Sequence, residues 1–121
     1  ERNWPLIFEM LSKPVANVPV VQDLSEALGM SKVELEKCLK EAVALRTVIK
    51  ISEKRYFLPE AVQDLREQCV SIAEKCINGQ FTVRDFRDKS GIGRNAVVEI
   101  LEYFDRERFT LRQGNHRVLR R

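Results

Sequence analysis

The chain of 121 residues has one histidine, three cysteines, five glycines and four prolines. Each shortage closes a class of function. With one histidine and no CxxC pair, the ligands for a zinc site are missing. Cys38, Cys69 and Cys76 are expected to be buried, reduced thiols of an intracellular protein. No signal peptide is present and no apolar run approaches the roughly 18 residues that a membrane span needs, so no membrane partner is expected. GxSxG, a P-loop and a cysteine–histidine pair are all absent, which leaves no catalytic constellation and no site calling for a cofactor. The chain opens at Glu1 rather than at methionine, as expected of a piece of something longer.

Charge of one sign is also scarce: 21 basic and 18 acidic residues leave a net charge of +3. Its distribution says more. Residues 1–59 hold nine basic and eight acidic side chains, whereas residues 79–121 hold ten and six. From Arg108 onward there are five arginines and no acid. Lysine dominates the first half and arginine, the better fork for phosphate and base edges, the second.

The stretch Phe81–Arg94 organises the rest. Val83 and Phe86 fall at helical spacing, Ser90-Gly91-Ile92-Gly93 breaks the pattern, and a second apolar-periodic helix starts at Arg94-Asn95. Helix, glycine-containing turn and helix outline a helix-turn-helix, whose second helix makes contacts with its first residues.

Residues 82–120 slide onto 20–58 at an offset of 62 without a gap. Val83 meets Val21, Asp85 meets Asp23, Gly91 meets Gly29, Leu101 meets Leu39, Arg108 meets Arg46 and Arg117 meets Arg55. Two copies of one small fold follow, at residues 1–59 and 60–121. In copy one, helices are expected at Pro5–Leu11, Val20–Leu28 and from Ser31 to about Leu45, then a hairpin through Val48–Ile51 and Tyr56–Leu58. Trp4, Ile7, Phe8 and Leu11 supply the first apolar face, and Ser31 with Glu34 forms a capping box. In copy two the helices are expected at Glu60–Ile77, Val83–Lys89 and Arg94–Glu107, with a closing hairpin at Phe109–Arg112 and Arg117–Leu119. Three helices and a two-stranded hairpin make a winged helix. The fold class is therefore mainly α with small β-hairpins, a tandem of winged-helix (helix-turn-helix) domains.

The candidate contacts gather in copy two. Glycines let backbone amides approach a phosphate, and a helix N-terminus favours an anion, so the turn Ser90, Gly91, Gly93 with Lys89, Arg94 and Asn95 is the first cluster. Arg112, Asn115, His116 and Arg117 on the wing are the second. Arg84 and Arg87 alternate with Asp85 and Asp88 and read as a solvated, ion-paired face. In copy one Lys32, Lys37 and Lys40 are mixed with Glu34, Glu36 and Glu41, a normal helix surface, and that copy reads as a spacer or scaffold. Two other ligand classes stay open on these residues: duplex DNA, for a regulator fragment, and protein, for an interaction scaffold. The outward middle of the last helix offers Val98, Glu99 and Glu102, a poor face for the major groove of DNA. Basic donors at the helix start and wing suit a compact backbone with a splayed base, as in an RNA hairpin.

Three segments, Phe-Thr-Val-Arg-Asp-Phe-Arg-Asp-Lys-Ser-Gly-Ile-Gly-Arg-Asn from Phe81, Ile-Leu-Glu-Tyr-Phe-Asp-Arg from Ile100 and Thr-Leu-Arg-Gln-Gly-Asn-His-Arg-Val-Leu from Thr110, carry a family resemblance. They resemble the C-terminal winged-helix domains of the bacterial selenocysteine-specific elongation factors, SelB. The resemblance implies an mRNA stem-loop, the selenocysteine insertion element beside a UGA codon, as partner of a cytoplasmic, monomeric module. It further implies that GTP, selenocysteyl-tRNA and the ribosome are handled through an N-terminal portion outside this sequence. Where that family often carries a hydroxyl residue before the basic pair, this chain has Gly93, which leaves a backbone contact there but no side-chain one.

Overall fold

A computed structural model describes residues 4–120 and divides the chain into two compact units, residues 1–62 and 63–121, each a winged helix. Unit 1 contains α1 (Trp4–Leu11), a 3-10 turn (Val15–Asn17), α2 (Val21–Leu28), α3 (Lys32–Ala44) and the strands β1 (Ile49–Lys50) and β2 (Tyr56–Phe57). Helix α4 (Pro59–Lys75) begins before the division and continues into unit 2, followed by a 3-10 turn (Ile77–Gly79). Then come α5 (Val83–Ser90), α6 (Arg94–Arg106) and the strands β3 (Thr110–Gln113) and β4 (His116–Leu119). Both hairpins are antiparallel, with Ile49 opposite Phe57 and Arg112 opposite Arg117. A bridge from Phe81 to Arg117 adds a third edge to the second hairpin.

The helices form where their apolar stripes can be covered. In unit 1 Ile7, Leu11, Leu24, Leu35, Leu39 and Phe57 are at most 2% exposed. In unit 2 Leu65, Cys69, Phe81, Phe86, Val97, Ile100, Leu101 and Phe104 fill the same role. Burying each large side chain contributes about 1.5–3 kcal/mol. Phe8, expected in the core, is instead 46% exposed. The stripe of this two-turn helix is narrow: Ile7 and Leu11, four apart, face inward, and Phe8 tilts against Trp4 at 6.2 Å between ring centres. Ile77, expected to close α4, lies beyond it and is 85% exposed, because the chain goes extended at Cys76 and Asn78 is left-handed.

Both units leave their third helix in the same way. Arg46 and Arg108 have φ of 64° and 62°, a conformation that usually calls for glycine. In unit 1 the amides of Arg46 and Thr47 donate to the carbonyls of Val43 and Ala42. In unit 2 those of Arg108 and Phe109 donate to Asp105 and Phe104. These are paired Schellman bonds, and Phe109 packs edge-on against Phe104 at 5.1 Å, the apolar contact such an ending favours. The guanidinium of Arg66 stacks 5.7 Å from both rings. The bonds to the turn, rather than a glycine, fix where each wing begins.

Candidate nucleic-acid interface

In unit 2 the chain reaches α6 through a turn whose every step is held locally. Thr82 and Asp85 cap α5 reciprocally: the Asp85 amide donates to the Thr82 hydroxyl at 3.1 Å and the Thr82 amide to the Asp85 carboxylate at 2.9 Å. Gly91 ends the helix at φ 75°, its amide donating to the Arg87 carbonyl. The Ser90 hydroxyl accepts from the Ile92 amide at 3.2 Å, and buried Ile92 pins the turn to the core. Gly93 then stands as N-cap with φ −64° and ψ 156° and offers no side-chain cap, and no side chain among the described residues is seen to bond the first-turn amides. An uncapped helix start carries partial positive charge on amides directed at solvent.

Around that start lies a concavity of about 520 Å³ lined by Thr82, Val83, Arg84, Arg87, Arg94, Arg112, Gly114, Asn115 and Arg117. Arg94 is exposed at the first position of α6 and has no ion-pair partner among the described residues. Across from it the wing is shaped by its own bonds. The Arg112 Nε donates to the Gly114 carbonyl at 3.1 Å, where Gly114 turns the hairpin at φ 65°. His116 places Nε2 3.3 Å from the Gln113 Oε1, and Asn115 stands exposed at the tip.

The residues expected from the sequence divide accordingly. Arg94, Arg112 and Asn115 meet at one concavity, while exposed Lys89, Gly91, Gly93 and Asn95 and half-buried Ser90 belong to the turn and helix start beside them. His116 is half-buried at the wing. Arg117, expected to present its charge to a phosphate, also lines the concavity but is 5% exposed, with its guanidinium turned onto Asp105. Its Nε lies 3.1 Å from both carboxylate oxygens of Asp105 and its second terminal nitrogen 2.9 Å from Oδ2, so the fork is taken within the fold.

Arg84 and Arg87 go the other way. The sequence reading gave them to an ion-paired surface, and weak contacts to Asp88 at 3.8 and 3.6 Å do occur. Both nevertheless line the concavity, because α5 presents its first-turn face to the wing side. The signal was their spacing of three residues with Asp85 removed from the surface pair by its capping duty. Cys69 is enclosed in this unit, and burial pushes its thiol up to about 12, so it stays protonated and inert at neutral pH. Among the described residues no cluster of histidine, cysteine, aspartate or glutamate could hold a metal ion, and no helix is long and apolar enough to cross a membrane.

Fold and surface together define a class: a tandem of winged helices whose second unit carries a concave arginine-rich face at an uncapped helix start. Residues 77–119 match the family described as elongation factor SelB, winged helix. The chain is 32% identical over 100 residues to the selenocysteine-specific elongation factor of Escherichia coli, a match covering 83% of this chain and 16% of that protein. It is 30% identical over 117 residues to that of Haemophilus influenzae, covering 97% of this chain and 19% of that one. The chain thus spans less than a fifth of the curated relatives it matches. Among solved structures, the mRNA-binding domain of E. coli SelB in complex with SECIS RNA superimposes with a TM-score of 0.81 at 28% identity, covering 100% of this chain and 99% of that one. The resemblance read from residues 81–119, to the C-terminal winged-helix domains of SelB, therefore holds and extends over both units.

Proposed function

We propose that this chain is the mRNA-binding module of a selenocysteine-specific translation elongation factor. It recognises the selenocysteine insertion hairpin next to a UGA codon. The observation that carries this reading is the concavity of unit 2, in which Arg84, Arg87, Arg94 and Arg112 surround an uncapped helix start. Phosphates of a tight RNA loop are held by Arg94, Arg112 and Lys89, and Gly91 and Gly93, with no side chains in the way, let the RNA backbone come close enough for the Gly93 amide and the first amides of α6 to donate. Asn95, Asn115 and His116, with Ser90 beside them, read an exposed base. Arg84 and Arg87 join the phosphate contacts.

The geometry favours a hairpin over duplex DNA. Along the middle of α6, Glu102 is exposed and Val98 and Glu99 are half-buried, so a helix inserted in a major groove would bring carboxylates to the base edges. The donors crowd the helix start and wing, where a splayed loop fits and the deep groove of A-form RNA is not entered. The module needs no cofactor and performs no catalysis. GTP hydrolysis and the selenocysteyl-tRNA belong to another part of a larger cytoplasmic protein, through which this monomeric module reaches the ribosome.

A binding titration at two salt concentrations tests this. An RNA hairpin with a looped-out base is compared with a DNA duplex of equal length. The expected result is hairpin preference of about tenfold or more at both salts, with a log–log slope worth a few phosphates. Preference for the duplex would assign the chain to a DNA-binding regulator. Binding to neither would leave a protein-interaction scaffold.

A further inference from the structure

The wing is joined to α6 by one carboxylate. Asp105, near the end of α6, accepts from both strands of the hairpin. The Thr110 hydroxyl donates to its Oδ1 at 2.6 Å, and the Arg117 guanidinium forks across both oxygens at 2.9–3.1 Å. Thr110 begins β3 and is 1% exposed, while Arg117 lies in β4 and is 5% exposed. Arg117 also exchanges both backbone bonds with Phe81, at 2.7 and 2.9 Å, just ahead of the cap of α5. Its direct cross-strand neighbour is Arg112. One residue therefore ties together the approach to α5, the body of α6 and the strand pair that carries the wing tip.

We propose that Asp105, Arg117 and Thr110 are positioning residues for RNA recognition, setting the wing so that Arg112 and Asn115 face Arg94 across the concavity. This rests on the RNA-binding reading above. With the Arg117 side chain 6% and that of Asp105 25% exposed, the ion pair gains little net stability, since desolvation offsets much of the attraction, and apolar residues of similar size often replace such a pair without loss. Its direction and bidentate geometry, in contrast, fix an angle that apolar packing does not. In unit 1, Val43 occupies the place of Asp105, and the strands are two residues long where those of unit 2 are four. The longer wing, which lines the concavity, carries the Asp105 clamp.

The alternative is that Arg117 contacts RNA directly and Asp105 only restrains it. Asp105→Asn separates the two by the sign of the effect, because it removes the counter-charge and leaves the arginine. A positioning role predicts weaker hairpin binding, on the order of tenfold, as expected when one wing contact is lost. It also predicts a non-additive double mutant with Arg112→Ala and an additive one with Arg94→Ala, which acts from the helix start. Tighter or unchanged binding by Asp105→Asn, with a steeper salt slope in the tighter case, would overturn the proposal. The pair Asp105→Val with Arg117→Met guards against simple unfolding. It is expected to keep the thermal midpoint and still bind about tenfold more weakly. Wild-type affinity in that double variant would overturn the proposal. Failure of the unaltered chain to bind any hairpin would instead sink the RNA reading itself.

Discussion

The two units answer the same structural question differently at the start of their third helix. In unit 1, Ser31 accepts from the Glu34 amide at 3.1 Å, and Glu34 reaches back to the Ser31 amide at 3.3 Å. The helix satisfies itself, and a carboxylate sits where a phosphate would have to approach. In unit 2, Gly93 and Ala96 stand at the corresponding places, and neither can cap the first-turn amides with a side chain. The surroundings follow suit. The matching hollow of unit 1, about 270 Å³, is lined by Lys32 and Lys54 but also by Glu53. That of unit 2 is nearly twice as large and has no acid in its lining. A fold copied twice can thus be closed in one copy and open to an anion in the other through a few substitutions.

The strongest way to break the likeness is in the core. Phe104 is fully buried between Arg66 and Phe109, whereas unit 1 has Ala42 at the equivalent position. Giving unit 2 the residue of unit 1, Phe104→Ala, is expected to cost about 3–5 kcal/mol, since the cavity also strands both stacked neighbours. Urea unfolding checks it. A loss below about 1 kcal/mol would mean that the ring is not the keystone of the second wing's attachment.

Much of this was legible beforehand because it was written in spacing. The offset of 62 put Gly91 on Gly29 and the helix starts within a residue of their places. The match of Arg108 to Arg46 was equally visible, but its meaning was not. Both are left-handed residues of a helix ending, a role that amide bonding assigns and a side chain does not announce. Arg117 shows the same limit in the site. An arginine on a wing reads as a phosphate ligand until an aspartate twelve residues earlier is seen to occupy its fork. Phe8 failed for a plainer reason: an eight-residue helix buries only its central stripe, and its pattern alone does not say which of two adjacent apolar residues lies on it.

A mid-sized effect sharpens the functional side of the comparison. Arg94 and Lys32 are the first residues of α6 and α3, both exposed and both basic. Arg94→Ala is expected to weaken hairpin binding by about 1–3 kcal/mol, and Lys32→Ala to leave it within experimental scatter. Equal losses would show that unit 1 also grips the RNA, and its description as a spacer would have to go.

The smallest expected effect is the most diagnostic, because it moves stability and binding in opposite directions. Gly93 already has the extended backbone of an N-cap, and a side chain added there would meet nothing within 4 Å. Gly93→Asp should therefore cap α6 with its carboxylate, gaining a few tenths to about 1 kcal/mol of stability. The same carboxylate would occupy the amides and repel a phosphate, weakening hairpin binding by about 1 kcal/mol, or roughly fivefold. The mirror change in unit 1, Ser31→Gly, should lower stability by a few tenths of a kcal/mol and leave RNA affinity alone. A substitution that merely damaged unit 2 would lower both quantities together. A gain in thermal midpoint with unchanged affinity would place the RNA away from the start of α6, on the wing alone. A higher midpoint with weaker binding is what an anion seated on those amides requires.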